Sequence, residues 1–233
     1  MNKTRRLSSS AGERPAGDRS VARSALTYVV IDFEALTPAG RPAVPIEVAA
    51  LALVSNGDEL VESWRFQALI KPPAGVPVTA FDVRQTGITA AMLADAAGPG
   101  PVMAALDAML TAPPYRLIAH HASTEANLIA HQREHCPTLA AISLLDTVRL
   151  ARLAYPELNS HALDEVLQHL RIPRPVDRHR AMPDVEVTAL VLRRILAENS
   201  RTRRWPTLRH LDAAAGVAPK RLPVVVGAQE ELF

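Results

Sequence analysis

The sequence predicts an α/β domain: a mixed sheet with helices packed against it. Three observations carry this. Short apolar runs at 26–34, 46–54 and 62–70, rich in β-branched residues, read as three consecutive strands. Two more short strands, at 116–119 and 142–145, then alternate with segments of helical spacing. The chain of 233 residues is long enough for one sizeable domain with tails and too short for two.

The elements follow in order. Residues 1–24 are small, polar and basic, with Lys3, Arg5, Arg6, Arg14, Arg19 and Arg23, and predict a disordered tail. Glu13 and Asp18 argue against an organelle transit peptide. Order begins at Leu26, and the hairpin signal Asn56-Gly57-Asp58 joins the second strand to the third, so the fold opens as a meander. Helical spacing then appears over 89–96 and 102–110, separated by Gly98-Pro99-Gly100-Pro101. The strand at 116–119 leads into a helix through His131, and the strand at 142–145 into a helix over 148–155. Ser160 can cap a helix over 162–170, and Pro183 suits the first turn of a long helix ending near Glu198. A domain over 25–200 is therefore expected, followed by 201–233: a short amphipathic helix at 207–215, broken by Gly216, and an extended tail.

Composition excludes several classes. With 48% hydrophobic and 21% charged residues the chain is neither wholly disordered nor a fibrous rod. No apolar run reaches the ~18 residues that a membrane helix needs. The single Cys136 cannot form an internal disulfide, and no secretory signal precedes the first strand, so a reduced, cytoplasmic protein is expected. The net charge is only +2; a pI of 9.0 permits nucleic-acid binding without establishing it.

Three clusters could carry chemistry. Asp32 and Glu34 lie two apart at the end of the first strand, so alternation puts both carboxylates on one face. Such a pair suits a hard divalent cation, although a strand running out into solvated acids looks the same. Glu125 falls in the first turn of the helix after His120 and His121, where the helix dipole alone favours a carboxylate. Third, His179 precedes Asp184 by five residues at the head of the long helix. Histidine is the natural general base near neutral pH, and the flanking Arg178 and Arg180 could hold phosphates; an N-capping Asp after a polar loop is the plainer alternative. His131, His135 and Cys136 offer three zinc-type ligands without a fourth, which favours an ordinary helix face.

In series these clusters resemble the DnaQ-like DEDDh 3′–5′ exonuclease family, of ribonuclease H-like fold. Asp32-Phe33-Glu34 resembles the family's Asp-x-Glu. The segment from His120 to Glu125 is similar to its second motif, and the segment from His179 to Asp184 to its His-x4-Asp. Gly87-Ile88-Thr89, Asp146-Thr147 and Ser160-His161 resemble recurrent connecting pieces, and the likeness covers roughly 26–198. The chain departs from the family with Glu125 in place of Asp, His121 in place of Asn, and Thr86 in place of the common His. The resemblance implies a mixed five-stranded sheet flanked by helices. It implies two Mg²⁺ or Mn²⁺ ions held by Asp32, Glu34, Glu125 and Asp184, with His179 taking a proton from the attacking water. It also implies release of nucleoside 5′-monophosphates, with the terminal nucleotide held near Phe33, Ala35 and Leu36 and by His121. Asp146 would support the site or merely cap a helix.

The chain ends Gln229-Glu230-Glu231-Leu232-Phe233, which looks like the bacterial sliding-clamp-binding motif. Gln229, Leu232 and Phe233 supply an amide and two apolar anchors suited to a preformed pocket. This tips the expected substrate to single-stranded 3′ ends of DNA, in replication or repair. Two alternatives stand beside it: a catalytically degenerate adaptor that binds the clamp, and an RNA-trimming exoribonuclease.

Overall fold

The structure, a computed structural model, describes residues 26–57, 59–176 and 179–222. The expected basic tail, the clamp-type motif at Gln229, Leu232 and Phe233, and Arg178 lie outside the described residues.

The meander forms as expected: β1 (Thr27–Leu36), β2 (Val44–Asn56) and β3 (Glu59–Leu69) pair antiparallel in sequence. Tyr115–Ala119 (β4) pairs parallel with β1, and Leu144–Asp146 (β5) parallel with β4. Helices α1 (Ala80–Thr86), α2 (Ala90–Ala94) and α3 (Pro99–Ala108) lie between β3 and β4, and α4 (Ala122–His131) between β4 and β5. Four more follow: α5 (Thr147–Ala154), α6 (Leu163–Leu170), α7 (Ala181–Thr202) and α8 (Leu208–Ala215).

The sheet has six strands in the order β3-β2-β1-β4-β5-β6, not five. The sixth, β6 (Gly216–Val217), lies antiparallel on the edge of β5. Two residues carry no hydrophobic alternation, so the sequence shows no sign of it. Trp205, Leu208, Leu211 and Ala215 join the same core cluster as Tyr28, Val30 and Leu192, so the core extends past residue 200.

Two apolar layers cover the two faces of the sheet. Tyr28 and Val30 pack with α5, α6, α7 and α8, whereas Val29, Ile31 and Phe33 pack with α3 and α4. Alternation then sends Asp32 and Glu34 to the α7 side, at the strand end where the apolar run stops. The prolines of Gly98-Pro99-Gly100-Pro101 do not break a helix. Gly98 takes the N-cap position of α3, and Pro99 opens its first turn, where a missing N–H costs nothing. The helix α1 has no apolar stripe to announce it. It is set by a capping box between Thr79 and Asp82 and closed by Gly87, whose φ of 71° is left-handed. Among the described residues no helix is long and apolar enough to cross a membrane.

Candidate active site

Strand β1 delivers two carboxylates to the C-terminal end of the parallel strands. The β1–β2 register shifts between Glu34 and Ala35, a bulge of the kind common beside functional sites. From the other side α7 supplies Asp184, the fourth residue of the helix, where the helix dipole favours an anion. One carboxylate oxygen each of Asp32, Glu34 and Asp184 lies within 4.8 Å of the other two. Residues 150 positions apart in sequence thus meet at one point, and three carboxylate oxygens so close could hold a hard cation.

Glu125 is the fourth expected acid, and among the described residues it is not part of that group of three. It sits in the first turn of α4, only 3% exposed, and its Oε2 has no hydrogen-bond partner. Burial pushes its carboxyl up to about 8; a backbone hydrogen bond opposes this and the nearby Asp146 charge adds to it. A buried acid with an unpartnered oxygen fits a cation ligand, since a cation would satisfy the oxygen and draw off the proton.

Two histidines frame the start of α4. His120, at the end of β4, bridges Thr147 Oγ1 (2.8 Å) and the His161 carbonyl (3.1 Å), tying together β4, α5 and the approach to α6. His121 is exposed at the N-cap position of α4, with a left-handed φ of 72°, and meets the His120 ring edge-to-face. The left-handed backbone suits the residue here: His, like Asn, occupies that region more readily than most residues. Asp146 accepts a hydrogen bond from the Val148 N–H (2.8 Å), capping α5, and also places its charge beside Glu125.

His179 is exposed, with a φ of 68°, immediately before the N-cap residue of α7. Arg180, which could hold phosphates, grips Glu47 with two donors, at 2.9 and 2.7 Å. Phe33 packs into the α3–α4 layer. Leu36 is 2% exposed and packs with Ile46, Ile88 and Leu93, so its side chain is committed to that cluster; Ala35 is half-buried. Cys136 is buried and donates to the Gln132 carbonyl, away from zinc chemistry.

Sequence reasoning missed Glu47 as a site element. The signal was there: an acid inside the apolar run Ile46-Glu47-Val48 needs a partner. His161 and Thr147, the anchors of His120, were likewise seen only as parts of motifs.

The profile of the exonuclease family (RNase_T) matches residues 29–192, most of the chain and all of the acids above. The chain is 29% identical over 179 residues to the PolC-type DNA polymerase III of Bacillus cereus, covering 74% of this chain and 11% of that protein. It is 29% identical over 185 residues to the 3′-5′ exonuclease DinG of Bacillus subtilis, covering 79% and 19%. It thus spans less than a fifth of either relative. Among solved structures it resembles the nuclease domain of 3′hExo, a DEDDh family member bound to rAMP, with a TM-score of 0.63, 20% identity and coverage of 77% and 94%. Exonuclease X in complex with duplex DNA gives a TM-score of 0.59, 21% identity and coverage of 81% and 99%. These likenesses show the shared ribonuclease H-like fold, and with the profile match they place the chain: it belongs to the exonuclease family (RNase_T), as a DnaQ-like domain.

Proposed function

We propose that the chain is a divalent-cation-dependent 3′–5′ exonuclease of the DEDDh type, acting on single-stranded 3′ ends of DNA. The convergence of Asp32, Glu34 and Asp184 beside the loop bearing His179 carries this reading. Those three acids and Glu125 would hold two divalent cations, Mg²⁺ or Mn²⁺. Such ions, when bound, stabilise the attacking and leaving oxygens of an in-line phosphoryl displacement. His179 accepts the proton of the attacking water. The backbone from Phe33 through Ala35 to Leu36, together with the exposed His121, flanks the acids and would hold the terminal nucleotide. Direct hydrolysis leaves a nucleoside 5′-monophosphate and a strand one residue shorter.

Recruitment by a bacterial sliding clamp through Gln229, Leu232 and Phe233 is the second part of the proposal, and it rests on the sequence motif. One structural feature suits it. β6 runs antiparallel to β5, so it carries the chain away from the end of the sheet that bears the acids.

A time course on 5′-labelled single-stranded DNA and RNA of matched sequence, with Mg²⁺, Mn²⁺ or chelator, tests the activity. The expected result is stepwise shortening of DNA that needs the metal and is lost in Asp184→Ala. Faster shortening of RNA would make the chain an RNA-trimming enzyme. Intact strands under every metal would leave an adaptor on a nuclease fold.

A further inference from the structure

Glu47 lies in the first half of β2, wholly buried, directly opposite Glu34 in the β1–β2 ladder. An ionised acid in such a place must be paired and hydrogen-bonded. Its Oε2 accepts from Arg180 Nε (2.9 Å) and from the Ala181 backbone N–H (3.0 Å). Its Oε1 accepts from an Arg180 terminal nitrogen (2.7 Å) and from Gln67 Nε2 (3.0 Å). Burial pushes the Glu47 carboxyl up, but these donors outweigh burial and hold it below the usual value.

The partners matter more than the strength. Arg180 is the N-cap residue of α7 and Ala181 its first residue. His179 comes immediately before them, held in a left-handed backbone that costs a non-glycine residue about 1–2 kcal/mol. Asp184 comes one turn after, its N–H bonded to the Arg180 carbonyl. A single carboxylate therefore fixes the backbone between the proposed base and a proposed cation ligand. Gln67, from β3, braces the same carboxylate.

We infer that Glu47 is a positioning residue: through Arg180 and the Ala181 amide it sets where the His179 ring stands relative to the acids of β1. The inference rests on the reading of His179 as the general base.

A double-mutant cycle tests it. Glu47→Gln keeps the shape, removes the charge and sets an amide against the donors. Steady-state kcat and KM on single-stranded DNA at saturating Mg²⁺ are measured for wild type, E47Q, H179A and the double variant, with folding checked at the assay temperature. A misplaced reacting group costs on the order of 10- to 100-fold, so E47Q should lower kcat by about that factor with KM within about 3-fold. In the H179A background the same change should cost less than about 3-fold, because the group it positions is gone. If E47Q does not fold, Arg180→Lys, which breaks the two-pronged grip from the other side, takes its place in the cycle. Losses that multiply in the double variant, or an unchanged kcat in E47Q, would overturn the inference while the wild-type enzyme stays active. An inert wild type would remove the functional reading and this inference with it.

Discussion

Glu125 makes the metal-free protein's stability depend on pH, in a direction opposite to an ordinary paired acid. In the unfolded chain a glutamate ionises near pH 4.5; in the fold this one holds its proton up to about 8. Below pH 4.5 both states are protonated, and the residue has no pH-dependent effect. As pH rises from 4.5 to 8 the unfolded chain ionises first and the folded state is progressively destabilised. The cost is under about 1 kcal/mol at pH 5 and grows to about 4–5 kcal/mol by pH 8.5, at about 1.4 kcal/mol per pH unit. Glu125→Gln removes this titration. Any cost of an unpartnered amide in the same buried place is independent of pH, so the slope is the signal. For a domain of this size 1 kcal/mol is worth about 2–4 °C in Tm. Thermal unfolding in EDTA, at steps from pH 5 to 8.5, should therefore show the variant gaining roughly 10 °C on the wild type across the range. Adding Mg²⁺ at pH 8 should stabilise the wild type more than the variant, as expected of a ligand that displaces a proton. Parallel Tm curves for the two proteins in EDTA would refute the account of Glu125 as a buried, protonated acid.

Three further outcomes follow from the packing. Leu211→Ala, in a wholly buried position of α8, should cost about 2–5 kcal/mol in chemical denaturation, and a chain ending at residue 200 should be less stable still. Gly87→Ala meets no atom within 4 Å, so its cost should be backbone strain alone, about 1–2 kcal/mol. Burial, with the nearby Asp107 charge, pushes the Cys136 thiol up to about 12, so a thiol reagent at pH 8 should label it only at the rate of unfolding.

The central sheet was legible because buried strands leave a dense local signal, and β1 to β5 lie where the apolar runs fall. What escaped was held by other means. The helix α1 is specified by Thr79 and Asp82 rather than by an apolar face, and β6 by a two-residue pairing. In the site, alternation alone put Asp32 and Glu34 on one face, and the family pattern pointed to Asp184. The partners of Glu47 on α7 lie 133 and 134 residues along the chain, a distance that no local pattern reports. The position of Glu125 apart from the other three acids depends on where α4 starts and on the reach of one side chain, which spacing does not encode.

The most direct test of the central claim is the identity of the first product from single-stranded DNA carrying a label in its 3′-terminal nucleotide. The account predicts release of the label as a nucleoside 5′-monophosphate from the first turnover, dependent on Mg²⁺ or Mn²⁺ and abolished by Asp32→Ala. Release as a 3′-monophosphate or within an oligonucleotide, or release that persists in chelator, would contradict it.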